Sequence, residues 1–145
     1  MDYTTTVGQI MTTEVITVTP KDTMTKVQQI FQDNAIHHLP VVDGLKIVGI
    51  LSHTDYLKLL HGFTLFKTHQ SEAYNDAIMR SLLVEEVMTK QVATLRPTDT
   101  VMMAASFIRE NLFHALPIVK DNGTLIGIVT SNDLLNFAYR EAVVI

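Results

Sequence analysis

Residues 7–23 read VGQIMTTEVITVTPKDT, and residues 84–100 read VEEVMTKQVATLRPTDT. The same displacement carries NAIHHLPVV at 34–42 onto NLFHALPIV at 111–119. About a third of the paired positions are identical, which is far more than shared composition gives by chance. The chain is therefore a tandem repeat, and each copy is one structural unit that occurs twice.

Both copies predict the same order of elements: strand, helix, strand, strand, helix. In the first copy, Val15–Val18 is a short β-branched stretch followed by Pro20, which suits the start of a helix. Apolar residues then recur at helical spacing, and Leu39–Val42 and Ile47–Leu51 flank Asp43-Gly44 as the arms of a β-hairpin. The second copy repeats every step, so the predicted fold class is mixed α/β (α+β).

The two copies are separated by a stretch that predicts a further helix. We expect Gly62 to end the helix before it, and Ser71 or Asn75 to cap an amphipathic helix that follows. The predicted boundaries are residues 1–61 for the first repeat, 62–83 for the inter-repeat segment and 84–145 for the second repeat.

Composition and charge exclude several classes of partner. The chain of 145 residues has 11 Lys+Arg against 15 Asp+Glu, a formal charge of −4 and no cysteine. Without a basic cluster we expect neither nucleic acid nor an anionic membrane surface as a partner, and without cysteine no disulfide or thiolate site. No apolar run approaches the roughly 18 residues of a spanning helix, and residues 1–6 do not resemble a leader, so we expect no membrane insertion. The absence of cysteine leads us to expect a cytoplasmic location.

Ser52-x-x-Asp55 and Thr130-x-x-Asp133 stand at equivalent positions, where the second helix of each copy is predicted to begin. In one interpretation each pair is a capping box that satisfies free backbone groups at the helix start. In the other, the helix N-terminus and the hydroxyl hold a phosphate, while the carboxylate accepts both hydrogens of a ribose diol. The sequence leaves both interpretations open.

The doubled pattern of Met-Thr, a short strand, Pro, a helix, Leu-Pro, a Gly turn and a hydroxyl three residues before Asp resembles the cystathionine β-synthase (CBS) domain. Two such domains in tandem resemble a Bateman module. The resemblance implies two β-α-β-β-α repeats related by a pseudo-twofold axis and packed through their sheets. It also implies two clefts between the repeats that bind AMP, ADP, ATP or S-adenosylmethionine, and a homodimer.

The same resemblance implies which residues would bind the ligand. The Asp of each pair would hold the ribose and the hydroxyl would lie by the phosphate. Residues after Met-Thr and before Leu-Pro of the other repeat would form the adenine slot. One set is Asp133, Thr130, Thr12, Ile16, Ile36, His37 and His38; the other is Asp55, Ser52, Thr89, Ala93, Phe113, His114 and Ala115. The apolar members of both sets are also candidates for the core.

The chain has six histidines, but their spacing does not predict a metal site. His37 and His114 are equivalent and precede the Pro-containing strands, where the family often has a basic residue near the phosphates. Because imidazole is largely neutral at pH 7, this difference favours AMP or S-adenosylmethionine over ATP. If these two histidines face phosphate, affinity rises on acidification.

No nucleophile motif, P-loop, zinc-protease motif or dinucleotide fingerprint occurs, so we expect no enzyme activity and no required cofactor. The predicted function is that of a regulatory sensor that binds an adenosine compound and alters an unidentified partner protein through its dimer. The alternative is a structural or interaction module of the same fold without a physiological nucleotide ligand.

Overall fold

The computed structural model describes residues 3–63, 69–111 and 113–140. Each predicted hairpin is present with a helix before it and a helix after it, and the mixture of helices and strands confirms the mixed α/β class. The elements are α1 (Val7–Ile10), α2 (Met24–Asp33), β1 (His38–Asp43), β2 (Lys46–Ser52), α3 (His53–Phe63), α4 (His69–Ser81), α5 (Val84–Val87), α6 (Val101–Asn111), β3 (Ala115–Val119), β4 (Leu125–Thr130) and α7 (Ser131–Ala138).

The chain folds into two compact units that do not coincide with the two sequence repeats. Unit 1 contains residues 1–15, 45–47 and 92–145, and unit 2 contains residues 16–44 and 48–91. The first fifteen residues therefore fold with most of the second repeat, and the start of the second repeat folds with most of the first. Each unit is described separately below.

Unit 1 is organised around the antiparallel pair β3 and β4, in which Leu116 faces Val129 and Pro117 faces Ile128. Gly123 closes the turn with a φ of 87°, a conformation that glycine adopts without steric cost. The buried core combines the first residues of the chain with the second repeat: Val7, Leu95, Ala104, Leu116, Ile118 and Val129. Helices α6 and α7 pack against each other.

Unit 2 repeats this plan around β1 and β2, with Gly44 at a φ of 63° in the turn. It has one element without a counterpart in the described part of unit 1, the inter-repeat helix α4. That helix packs against α2 and α3 and contributes the buried Met79. The core contains Val18, Met24, Val27, Phe31, Leu39, Val41, Leu51, Tyr56, Met79 and Val84.

Equivalent backbone hydrogen bonds show the internal symmetry of the two units. In unit 1, the Val7 N–H donates to the Asp99 carbonyl at 2.7 Å, and in unit 2 the Val84 N–H donates to the Asp22 carbonyl at 2.8 Å. The start of each repeat thus anchors to the Pro-x-Asp turn of the other repeat.

Several local predictions need correction. The stretches predicted as first strands are reduced to single parallel bridges, Val18 with Val41 in unit 2 and Leu95 with Ile118 in unit 1. Ser71 and Asn75 do not cap α4, because both lie inside it. In these cases tertiary packing overrides a local signal. Helix α3 ends at Phe63, one residue after Gly62.

Candidate functional site

In unit 1 the pair Thr130 and Asp133 forms a capping box at the start of α7. The Asp133 N–H donates to Thr130 Oγ1 at 3.3 Å, and the Thr130 N–H donates to Asp133 Oδ2 at 2.8 Å. The Thr130 hydroxyl also donates to Oδ2, at 3.1 Å. The structural interpretation of the motif is therefore correct, and the cap engages one of the two carboxylate oxygens.

The second carboxylate oxygen of Asp133 faces a residue from the other repeat. Thr12 lies alongside β4, where its backbone exchanges two hydrogen bonds with Ile128, at 2.9 and 3.0 Å. This pairing holds the exposed Thr12 side chain so that its Oγ1 lies 3.5 Å from Asp133 Oδ1. The structure thus brings together three predicted site residues, Thr12, Thr130 and Asp133, from both repeats within one unit.

Unit 2 contains the equivalent arrangement at the start of α3. The Asp55 N–H donates to Ser52 Oγ at 3.0 Å, and the Ser52 N–H donates to Asp55 Oδ2 at 3.3 Å. The backbone of Thr89 exchanges hydrogen bonds with Ile50, two residues before Ser52, at 2.9 and 3.0 Å. The cap hydrogen bond from the Ser52 N–H thus goes to Oδ2 of Asp55, the same oxygen that the cap engages in Asp133.

Glycine allows the Met-Thr segments to approach the hairpins this closely. A Cβ at Gly127 in unit 1 would contact the Met11 thioether and lie 3.0 Å from the Thr12 carbonyl oxygen. A Cβ at Gly49 in unit 2 would lie 3.1 Å from the Thr89 carbonyl oxygen. The glycine that begins each Gly-Ile-(Leu/Val)-(Ser/Thr) motif is thus needed where two segments of backbone meet.

The remaining predicted residues divide between the units. Unit 1 contains Ala93, Phe113, His114 and Ala115, and unit 2 contains Ile16, Ile36, His37 and His38. Ile16 and Phe113 are each 37% exposed, so neither is a fully buried core residue. Ala115 is buried and begins β3, while Ile36 packs on the edge of the unit 2 core. Participation of these eight residues in a ligand site stays a prediction.

An aromatic cluster that the sequence did not predict lies beside the start of α3 in unit 2. The His53 ring contacts Phe31 edge-on, with centroids 5.0 Å apart, and lies 5.9 Å from the rings of His37 and Tyr56. Burial raises the pKa of Tyr56, although a hydrogen bond with Gln28 opposes the shift. At the positions of Phe31, His53 and Tyr56 the second repeat has Ile108, Ser131 and Leu134, so the cluster distinguishes the two units.

Within the described residues, no group of three His, Cys, Asp or Glu side chains could hold a metal ion. A search of the same residues finds no helix with the length and apolar character needed to cross a membrane.

The comparisons with known proteins identify the family. The CBS domain matches residues 7–62 and 84–140, and the chain belongs to the CBS domain family as a tandem pair. It is 32% identical over 129 residues to inosine-5'-monophosphate dehydrogenase of Korarchaeum cryptofilum, covering 89% of this chain and 23% of that enzyme. The chain spans less than half the length of this enzyme and of the uncharacterised protein MJ1225 of Methanocaldococcus jannaschii, to which it is 30% identical.

Solved structures of CBS pairs have the same fold over nearly the whole chain. CBSX2 of Arabidopsis thaliana, in complex with AMP, superposes with a TM-score of 0.78 at 25% identity, covering 95% of this chain and 98% of that chain. The CBS domain pair of the protein MJ0100, in complex with 5'-methylthioadenosine and S-adenosyl-L-methionine, superposes with a TM-score of 0.76 at 26% identity. The superposition covers 94% of this chain and 98% of that chain.

Proposed function

We propose that the chain is a regulatory module that binds an adenosine-containing ligand, with AMP favoured over ADP, ATP and S-adenosylmethionine. The proposal is carried by one observation: the two oxygens of the Asp133 carboxylate have different hydrogen-bond partners. Oδ2 is engaged by the helix cap, whereas Oδ1 faces the Thr12 hydroxyl of the other repeat. Oδ1 accepts one hydrogen bond, from the Thr12 hydroxyl at 3.5 Å, and as a carboxylate oxygen it has a second lone pair that can accept from a ribose hydroxyl.

The start of α7 supplies the second part of the proposed binding site. A helix of this length offers unpaired N–H groups and a partial positive charge at its first turn, which favour a phosphate. The Thr130 hydroxyl lies at the same point and can donate to an anion. Ser52 and Asp55 repeat the arrangement at the start of α3, so each unit offers one such ribose and phosphate receptor.

Two relatives support an adenosine compound as the ligand. The CBS pair of CBSX2 forms a complex with AMP, and that of MJ0100 forms one with 5'-methylthioadenosine and S-adenosyl-L-methionine. The positions expected to lie by the phosphate carry His37 and His114 rather than arginine, which favours one phosphate over three. We propose binding without turnover, because the hydroxyl and carboxylate pairs act as caps and ligand contacts rather than as an acid, a base or a nucleophile.

The second candidate function is a structural or interaction module whose hydroxyl and acid pairs are helix caps alone. The complete capping box at Thr130 favours this alternative, since it explains the motif without a ligand. In both cases we propose that the chain acts through a homodimer on a separate partner protein. We further propose a cytoplasmic location, with which the absence of cysteine is consistent.

The experiment separates a cap from a ligand contact by a substitution that affects them differently. In Asp133→Asn, the amide oxygen can still accept from the Thr130 N–H, but the second acceptor is replaced by a donor. We expect nucleotide-free Asp133→Asn to melt close to wild type and to lose the stabilisation that AMP gives unit 1. A ligand at about 100 times its dissociation constant adds about 2.7 kcal/mol to the free energy of unfolding.

Thr130→Val removes the cap oxygen and the proposed phosphate donor together while keeping the volume of the side chain, so it is expected to lower both the stability and the affinity for AMP. Thermal unfolding is measured with AMP, ATP, S-adenosylmethionine and 5'-methylthioadenosine for both variants and for wild type. No shift with any ligand in wild type would favour the alternative module. An unchanged shift in the Asp55→Asn, Asp133→Asn double variant would exclude these carboxylates from the site.

A further inference from the structure

The inter-repeat helix α4 is anchored in unit 2 at its C-terminal end. The carbonyl of Leu82, the residue after the helix, accepts a hydrogen bond from the Met24 N–H at 2.9 Å, and Leu83 forms a single antiparallel bridge with Thr23. The Met79 side chain is 2% exposed and belongs to the core of the unit. These contacts tie the end of α4 to the core and to the start of α2.

One turn before Met79, the buried side of α4 carries a polar side chain instead of an apolar one. Asn75 is 8% exposed and is the one buried polar residue among those that the structure describes. No group of the described residues donates a hydrogen bond to its Oδ1, although this atom is shielded from solvent. Such acceptors are rare in folded proteins, because they lose their hydrogen bonds to water and gain none in return.

The unpaired oxygen favours detachment of α4 from unit 2. In the docked helix the Asn75 Oδ1 atom lacks a hydrogen bond, whereas in the detached helix water donates one. A buried acceptor without a partner shifts such an equilibrium by roughly 5- to 150-fold relative to an apolar side chain of similar shape. The residue at position 75 therefore determines how easily α4 detaches.

Unit 1 indicates that the rest of the repeat does not need such a helix. Helices α6 and α7 pack against each other, and the described part of unit 1 has no counterpart of α4. Ile108 and Leu134 are half-buried, whereas Phe31 and Tyr56 at the equivalent positions of unit 2 are buried. We therefore expect α2, α3 and the hairpin of unit 2 to stay folded when α4 detaches.

We propose that α4 is a detachable helix, which leaves unit 2 in a local opening that hinges at Leu82 and Leu83 and precedes the unfolding of the unit. Local openings of this kind are states that a ligand or a partner can favour or suppress.

Detachment of α4 also affects the candidate receptor of unit 2. Helix α4 packs on α3, and the first turn of α3 carries Asp55, which is capped by Ser52. Opening thus removes packing from the element that holds the receptor, so a ligand at the start of α3 should keep α4 docked. This step rests on the proposed function, whereas the detachment itself does not.

Hydrogen exchange of the native, nucleotide-free protein measures the opening directly. In wild type, the amides of α4 are expected to exchange at least tenfold faster than those of α2 and β1. Asn75→Leu removes the unpaired oxygen and should slow the exchange of α4 at least tenfold while leaving that of α6 unchanged. Asn75→Ala, which adds no volume, should change the exchange of α4 in the same direction.

Asp76→Leu is the matched control. Asp76 is the next residue of α4 and is exposed, so this substitution brings a similar gain in helix propensity without altering the buried side of the helix. It should change the exchange of α4 less than threefold. Equal exchange of α4 and α2 in wild type would overturn the proposal. So would Asn75→Leu and Asn75→Ala variants that exchange as fast as wild type, since a buried water would then satisfy Asn75 in solution.

Thiol labelling provides a second, independent measurement, because the chain has no cysteine of its own. Met79→Cys and Val41→Cys each place a thiol at a buried position of unit 2, the first on α4 and the second on β1. Met79→Cys is expected to react with a thiol reagent at least tenfold faster than Val41→Cys, and Asn75→Leu should slow the reaction of Met79→Cys. Equal rates for the two cysteines would contradict a local opening of α4.

Exchange in the presence of AMP separates this proposal from the proposed function. At about ten times the dissociation constant of AMP, the exchange of α4 should slow about tenfold in wild type and in Asp133→Asn, and should stay unchanged in Asp55→Asn. If AMP raises the melting temperature without slowing α4, the link between α4 and the receptor is wrong. If α4 detaches as described in a protein that binds no AMP, the proposed function is refuted and the detachable helix stands.

Discussion

Replacing Gly127 by alanine tests how tightly the start of the chain is packed against β4. The added Cβ would contact the Met11 thioether and lie 3.0 Å from the Thr12 carbonyl oxygen. The thioether can rotate away, but the carbonyl is fixed by the hydrogen bond that it accepts from the Ile128 N–H at 3.0 Å. We therefore expect the Met-Thr segment to move away from β4.

The expected cost follows from the size of the clash. Overpacking by one methyl group in a close-packed site costs about 1–3 kcal/mol. For a chain of this length that lowers the melting temperature by roughly 3–10 °C. Because Thr12 is displaced from Asp133, the affinity for AMP should fall as well.

The assay is thermal and urea unfolding of Gly127→Ala beside Gly62→Ala. Gly62 lies within α3, and an added Cβ there meets nothing within 4 Å. Alanine at this helical position should stabilise the protein by about 0.5–1 kcal/mol. The two substitutions are thus expected to have opposite signs. If Gly127→Ala is as stable as wild type, the close approach of Thr12 to β4 is not present in solution.

Three further predictions concern single side chains. Partial burial tends to raise the pKa of Asp22, but hydrogen bonds from the Thr19 N–H and from Lys26 outweigh burial and lower it. A pKa that is lower in the folded state than the unfolded value of about 3.9 stabilises the protein at any pH above that value. Asp22→Asn should therefore lower the free energy of unfolding by about 1 kcal/mol at pH 7. In urea titrations the difference from wild type should vanish as the pH falls below about 4 and through the folded pKa. Thr130→Val should lower the free energy of unfolding by about 1 kcal/mol with an unchanged urea m-value, and a changed m-value would mean that more than a cap is lost. Calorimetric affinity for AMP should fall several-fold in His37→Ala at constant pH, because the resemblance to the family places this residue by the phosphate, and an unchanged affinity would remove His37 from the site.

Local signals predicted the hairpins and their turns correctly. Asp43-Gly44 and Asn122-Gly123 place glycine where the backbone takes φ values of 63° and 87°. Apolar spacing located α2 and α6, and the hydroxyl and acid pairs marked the starts of α3 and α7. These features depend on neighbours within a few residues, which is the range that a sequence pattern describes.

Pairing between distant segments could not be derived from those patterns. Thr12 pairs with Ile128 across more than a hundred residues, and neither local sequence specifies the other. The short helices α1 and α5 are single turns, too short to have a periodicity.

The part of the candidate site that depends on neighbouring residues was predictable from the sequence, and the part that depends on distant segments was not. The capping boxes of Ser52 with Asp55 and of Thr130 with Asp133 are local and follow from spacing. The contact of Thr12 with Asp133 is long-range, and the resemblance to the CBS family implied it where spacing could not. The ring cluster around His53 was missed because Phe31 and Tyr56 come from different helices.

The measurement that tests the central claim most directly is a calorimetric titration of nucleotide-free protein with AMP. It is carried out on wild type, Asp55→Asn, Asp133→Asn and the double variant. The proposed function predicts that wild type binds AMP and that each single substitution removes the AMP site of its own unit. It also predicts that the double variant does not bind AMP although it melts like wild type. Binding by the double variant with wild-type affinity and stoichiometry would contradict it.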